Sequence, residues 1–246
     1  MKKIIFLLLI TTIFSCTTKK DILYFQDIEK NNQNEKITIN TSKIQFNDIL
    51  YIKVTAFDNE ATVPFNIPYQ SLDTKLTGYL VDYNGNISFP VLGEIRVEGK
   101  TNSEVETIIK DLLVKEKLLK DPKISVRVVN KKITVLGEVS RPGTYEFSEE
   151  NITLLQAIGR AGDISIEGVR KNILIIREEN GIRTNTTIDI TKTDWFSSPY
   201  YYIKQNDVIY VTPNERKIKS AGFITGIRET LGLITGSLAL ILFLTK

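Results

Sequence analysis

From residue 44 onward, short apolar runs of period two alternate with Asn-Asp, Asn-Gly and Pro-Gly turn signals, and two interior stretches carry helical spacing instead. Successive strand side chains point to opposite faces, so this pattern predicts an α+β fold of strand-rich units with few helices. In the first unit, residues 44–54 are rich in β-branched and aromatic side chains, and Asn47-Asp48 reads as a turn ahead of the stronger strand. Asn84-Gly85, between residues 80–83 and 87–90, predicts a hairpin, because Asn and Gly both tolerate positive φ. Thr101-Asn-Ser-Glu104 has the form of a capping box, and Val105, Ile108, Ile109, Leu112 and Leu113 follow at helical spacing. Asp121-Pro122 is expected to stop that helix, and residues 124–129 return to strand alternation.

A second unit begins at Lys132. Residues 133–139 read as a strand and residues 144–147 as its returning partner. In the turn between them, Pro142 sets φ and Gly143 permits its inversion. Residues 151–162 read as a helix capped by Thr153 or Asn151 and ended at Gly162, a residue suited to the left-handed conformation. Residues 173–177 and 186–190 add strands around an Asn180-Gly181 turn, which completes a small module of the β-grasp kind. The two units share an echo: Asn47-Asp48-Ile-Leu-Tyr-Ile and Asn206-Asp207-Val-Ile-Tyr-Val have matching residue types at identical spacing. Duplication and two similar turn-plus-strand units under the same local physics both account for it.

The flanks are of another kind. Lys2 and Lys3 precede a short apolar run, and Ile13-Phe-Ser-Cys16 resembles a lipobox, so residues 1–15 read as a lipoprotein signal peptide and Cys16 as the lipidation site. An ordinary secretory signal or a signal anchor with a chance cysteine is the alternative. Residues 16–43 form a polar tether, interrupted by Ile22, Leu23, Tyr24 and Phe25, which are expected to pack onto the body. The chain has no His and a single Cys, which excludes Ser-His-Asp and Cys-His catalysis, a zinc site of the usual ligands and a disulfide framework. No metal, cofactor or catalytic residue is expected. Removal of Lys2 and Lys3 from the 32 basic residues leaves 30 against 29 acidic ones, so no basic surface invites nucleic acid.

At the other end, residues 230–245 carry no charge and would make roughly 24 Å of helix, short for a typical bilayer core but less so for a thin outer membrane. Gly222, Gly226, Gly232 and Gly236 would let helix backbones approach closely, and a small, polar face opposite an aliphatic one suits a helix barrel. A helix lying in the membrane interface, or a tail packed on the body, is the alternative.

Together these residues resemble the polysaccharide export family of outer-membrane lipoproteins. The first block carries Asn47, Asp48, Gly85, Pro90 and Gly93 and resembles the family's export domain, expected over 44–131. The second carries Gly137, Pro142, Gly143, Gly162, Asn206 and Asp207 and looks like its soluble-ligand-binding β-grasp domain, expected over 132–213 and followed by a membrane helix at 214–246. Asn47 and Asn206 stand where the family usually has Gly. The resemblance implies a lipid-anchored periplasmic body, a homo-oligomeric ring around a conduit, polysaccharide passing through it, and an inner-membrane copolymerase of the tyrosine-kinase type docking beneath. A lipid-anchored glycan-binding or scaffold module without a pore is the competing reading.

Overall fold

The computed structural model describes residues 19–29, 41–67, 78–179, 181–220 and 231. Cys16, Gly222, Gly226, Gly232 and Gly236 lie outside the described residues, as does most of the tether. Of the expected C-terminal membrane helix, a short helix at Glu215–Ser220 and Leu231 are described. Among the described residues no helix is long and apolar enough to cross a membrane.

The architecture is α+β. In the first unit, strands β1 (Ile49–Thr55), β2 (Tyr79–Leu80), β3 (Asn86–Phe89) and β4 (Gly93–Arg96) precede helix α1 (Asn102–Lys115) and strand β5 (Lys123–Val128). The sheet order is β2-β1-β5, antiparallel throughout, with β3–β4 as a separate hairpin. Alternation along β1 buries Leu50, Ile52 and Val54, and α1 buries Val105, Ile109 and Leu113 in the same core. Each such side chain stabilises the fold by about 1.5–3 kcal/mol. The capping box closes both ways: Glu104 N donates to Thr101 Oγ1 at 3.3 Å and Thr101 N donates to Glu104 Oε2 at 2.7 Å.

Two local expectations are corrected here. The hairpin lies one segment later than Asn84-Gly85, since β2 pairs with β1 and β3 pairs with β4. The physical reason is Asp82, whose carboxylate accepts the amides of Asn84 and Asn86 at 2.9 Å each and closes a compact loop instead of a ladder. Helix α1 also ends before Asp121-Pro122. Lys117 adopts φ 57, Lys117 N donates to Val114 O, and Leu118 N donates to Leu113 O, the bond pattern of a Schellman stop.

The second unit holds β6 (Lys132–Gly137), β7 (Gly143–Glu146), β8 (Ile152–Thr153), α2 (Leu154–Arg160), β9 (Gly168–Glu179), β10 (Ile182–Ile188), β11 (Tyr202–Ile203), β12 (Val208–Pro213) and α3 (Glu215–Ser220). Its sheet runs β10-β9-β12-β6-β7, with β12 parallel to β6 and the other pairs antiparallel, and α2 adds Leu154, Ala157 and Ile158 to the core. Thr153, not Asn151, caps α2 and forms a capping box with Gln156. Gly143 is a further correction: it has no inverted φ and simply opens β7, so the Pro142 turn does not depend on glycine there. Gly137 is the constrained position, at φ 87 with the Val211 carbonyl oxygen 2.0 Å from where a Cβ would stand.

The described part of the tether docks on this second unit. Phe25 N donates to Ile190 O at 3.3 Å and Gln26 N to Thr191 O at 2.7 Å. The Phe25 ring lies 5.6 Å from that of Phe196, within an aromatic group that includes Trp195 and Tyr201.

Candidate functional site

The two Asn-Asp echoes fold into the same device. Asn47 and Asn206 take φ 67 and 65, which turns the chain sharply. The following aspartate then accepts the amide three residues back, Gln45 N to Asp48 at 2.8 Å and Lys204 N to Asp207 at 2.9 Å. Asn and Asp serve here because short polar side chains tolerate the left-handed region and bond their own backbone.

The two turns also meet. Gln205 Nε2 donates to Asp48 Oδ1 at 2.7 Å, and Asn206 Nδ2 donates to Gln45 Oε1 at 3.4 Å. Asn130, between β5 and β6, brackets the same spot by accepting from Ile49 N and donating to Asn47 O, each at 2.8 Å. Asn206 N donates to Lys132 O at 2.7 Å. The junction between the units is therefore held by the connecting segment and by a second, non-local contact.

The two buried aspartates differ in their partners. Asp207 faces Arg177, with Nη2 at 2.7 Å and Nε at 3.0 Å, and Arg177 also donates to the carbonyls of Pro199 and Tyr202 and stacks 4.6 Å from the Tyr200 ring centre. Burial raises the Asp207 carboxyl, and Arg177 opposes that rise. Asp48 has a neutral partner in Gln205. Burial pushes its carboxyl up to about 6, against the lowering effect of bonds from Gln45 and Gln205 and the charge of Lys131.

Beside the two turns lies a cleft of about 670 Å³. Asn47 and Asn206 line it together with Lys43, Lys132 and Arg183, and with Glu98, Glu178 and Glu179. Mixed charges and amides can bond a polar, hydroxyl-bearing chain or a neighbouring protein loop. Among the described residues no group of three acidic, His or Cys side chains could hold a metal ion.

Of the motif residues, Asn47, Asp48, Asn206 and Asp207 come together at this junction. The others do not. Gly85 (φ 79) sits in the Asp82 loop, and Pro90 and Gly93 flank the β3–β4 turn, where Leu92 N donates to Pro90 O across Val91 at φ 66. Gly137 lies against β12, Pro142 and Gly143 lead into β7, and Gly162 (φ 77) ends α2. Sequence reasoning missed Gln205, Asn130 and Arg177. A signal existed for Arg177, because alternation places it on the face of Ile173 and Ile175, both buried.

Residues 38–129 match the model of the polysaccharide biosynthesis/export protein family, and residues 131–211 match that of the SLBB domain. The chain carries a polysaccharide export domain followed by an SLBB domain. The similar proteins include the EPS I polysaccharide export outer membrane protein EpsA of Ralstonia solanacearum, 31% identical over 156 residues, or 62% of this chain and 40% of that one. The capsule polysaccharide export outer membrane protein CtrA of Neisseria meningitidis is 26% identical over 171 residues, covering 68% of this chain and 42% of its own. The polysialic acid transport protein KpsD of Escherichia coli is 27% identical over 149 residues, 54% and 26% of the two chains. These relatives are named as export and transport proteins rather than enzymes. The chain spans less than half the length of the relatives it matches.

Proposed function

We propose that the protein is the outer-membrane component of a polysaccharide export assembly and carries out no catalysis. In this reading Cys16 is acylated, the described body stands in the periplasm, and copies of it form a ring through which the polymer leaves. An inner-membrane copolymerase of the tyrosine-kinase type docks beneath, and the segment from residue 214 enters the outer membrane.

The observation that carries the reading is the tandem of export and SLBB matches, which meet within two residues of each other at Asn130. The Asp48–Gln205 bond gives a physical reason why such a tandem can serve in a ring. A subunit in a closed ring must present two faces at a fixed angle. A second contact across the junction restrains the angle that one connection would leave free.

Deletion of the gene tests the reading. Surface polysaccharide should disappear while polymer is still made and accumulates inside the cell. Palmitate labelling of wild type but not of Cys16→Ala should report the anchor, and the mass of the detergent-extracted particle should be a multiple of the subunit mass. Purified protein that cleaved or transferred sugars at enzyme-like turnover would overturn the reading.

A further inference from the structure

The loop of residues 163–171, which runs into the start of β9, gathers the described part of the tether and the chain that follows β12. On one side the Tyr24 hydroxyl donates to Asp163, and the Tyr24 ring lies 5.4 Å from the Arg170 guanidinium carbon. Lys171 Nζ pairs with Asp21 at 2.7 Å. On the other side Asn214 N donates to Glu167 O at 2.8 Å, and Lys217 Nζ pairs with Glu167 at 2.9 Å. Arg170 shapes the loop from within: it is 4% exposed and donates to the carbonyls of Ile164, Ser165 and Gly168 at 3.0, 3.2 and 3.1 Å.

A loop braced this way still holds an aliphatic side chain out to solvent, Ile166 at 71% exposed. The segments that converge on it do the same, with Leu23 at 45% and Ile218 at 56%. Exposed aliphatics gathered at the point where both chain ends leave are suited to an apolar surface.

Chain length says which surface. Asp21 is fixed to Lys171, and the residues between Cys16 and Asp21 reach at most about 17 Å when fully extended. An acyl group on Cys16 therefore brings the bilayer to within that distance of the loop. The junction with the first unit lies at the opposite end of β12, which starts beside Asp207 and finishes beside Asn214, roughly 20 Å away.

We infer that the 163–171 loop is a membrane-contacting surface of the protein, with Ile166 seated at the lipid headgroups. The inference rests on the acylation of Cys16 proposed above.

The test uses the full lipoprotein in phosphatidylethanolamine and phosphatidylglycerol vesicles whose acyl chains are brominated near the headgroup. Ile166→Cys and, as a distant control in the β3–β4 turn, Val91→Cys are labelled with a thiol-reactive fluorophore; an acylated Cys16 offers no free thiol. The Ile166 probe should lose at least half its intensity to the brominated lipid while the Val91 probe is unchanged. Mass spectrometry of the same sample reads the acyl groups. Acylated protein with an unquenched Ile166 probe overturns the inference alone, and if that probe is also shielded from aqueous iodide, a neighbouring protein covers the loop instead. Protein without acyl groups overturns the anchoring reading and this inference with it.

Discussion

Gln205 of the second unit donates to the carboxylate of Asp48 in the first, 157 residues away, at 2.7 Å, and both side chains are nearly excluded from solvent, at 4% and 3% exposed. A buried acceptor that loses its donor costs about 1–3 kcal/mol, which lowers the Tm of a chain this size by roughly 2–12 °C. Gln205→Ala should show that loss in thermal unfolding. A Tm unchanged within a degree would mean that water replaces the amide and that the contact does not hold the junction.

The Asp48 carboxyl, at about 6 in the fold against 3.8 ordinarily, predicts a pH dependence of definite sign. Between about pH 4 and 6 the folded chain keeps a proton that the unfolded chain releases, so stability falls as pH rises. The contribution is complete below about pH 4 and lost as pH climbs through about 6. Asp48→Asn should remove this slope; its amide nitrogen cannot accept one of the two N–H groups that the carboxylate holds, so the pH dependence, not the absolute stability, reports the assignment. Comparison by urea unfolding isolates Asp48 from Asp207, whose raised carboxyl works in the same direction. A variant with the wild-type slope would refute the assignment.

Arg177 and Asp207 form a pair that is 7% and 1% exposed at the side chains. Asp207→Leu strands the guanidinium and should cost about 3–5 kcal/mol, whereas Arg177→Met together with Asp207→Leu should cost much less than the two single changes added. Denaturant unfolding of the four proteins measures the coupling, and simple additivity would show that the pair is solvated in solution.

Gly137 and Gly143 should respond oppositely to a side chain. Gly137→Ala meets the Val211 carbonyl and a left-handed backbone, a strain on the order of 1–3 kcal/mol before the clash is counted. Gly143→Ala meets nothing nearer than 3.9 Å and should change the Tm by little. Equal losses in the two variants would contradict the backbone geometry of the β6–β7 turn.

The C-terminal segment separates a helix barrel from an interfacial helix at one glycine. Gly236→Leu should abolish surface polysaccharide at a normal lipoprotein level, because a bulky side chain blocks close backbone approach, and Leu238→Ile should be silent. A tag after Lys246 should be cut by protease added to intact cells. Cells that still export polymer while protecting the tag would exclude a spanning segment.

What was legible in the sequence is what local physics determines. Alternation reads directly as β1, β6 and β9, and Thr101 with Glu104 forms the closed capping box its spacing implies. The misreadings came where local bonding overrode a signal: the Asp82 side chain captured the amides near Asn84-Gly85, and the left-handed backbone at Lys117 stopped α1 well before the proline. The site was half legible. Asn47-Asp48 and Asn206-Asp207 announce two similar turns, but nothing local says that the turns touch, since the Gln205–Asp48 bond depends on how the two units come together.

The parallel pairing of β6 with β12 sets how the second unit answers a mechanical load. Its first strand joins the first unit, and its last continues into the C-terminal segment, so a pull between the two acts on Lys132 and Pro213 in opposite directions. Neighbouring parallel strands pulled this way slide along each other, and their hydrogen bonds are loaded together instead of one after another. Unfolding under force is governed by the unfolding barrier rather than by equilibrium stability. This strand order gives that barrier a shear geometry, in which the β6–β12 hydrogen bonds must give way together.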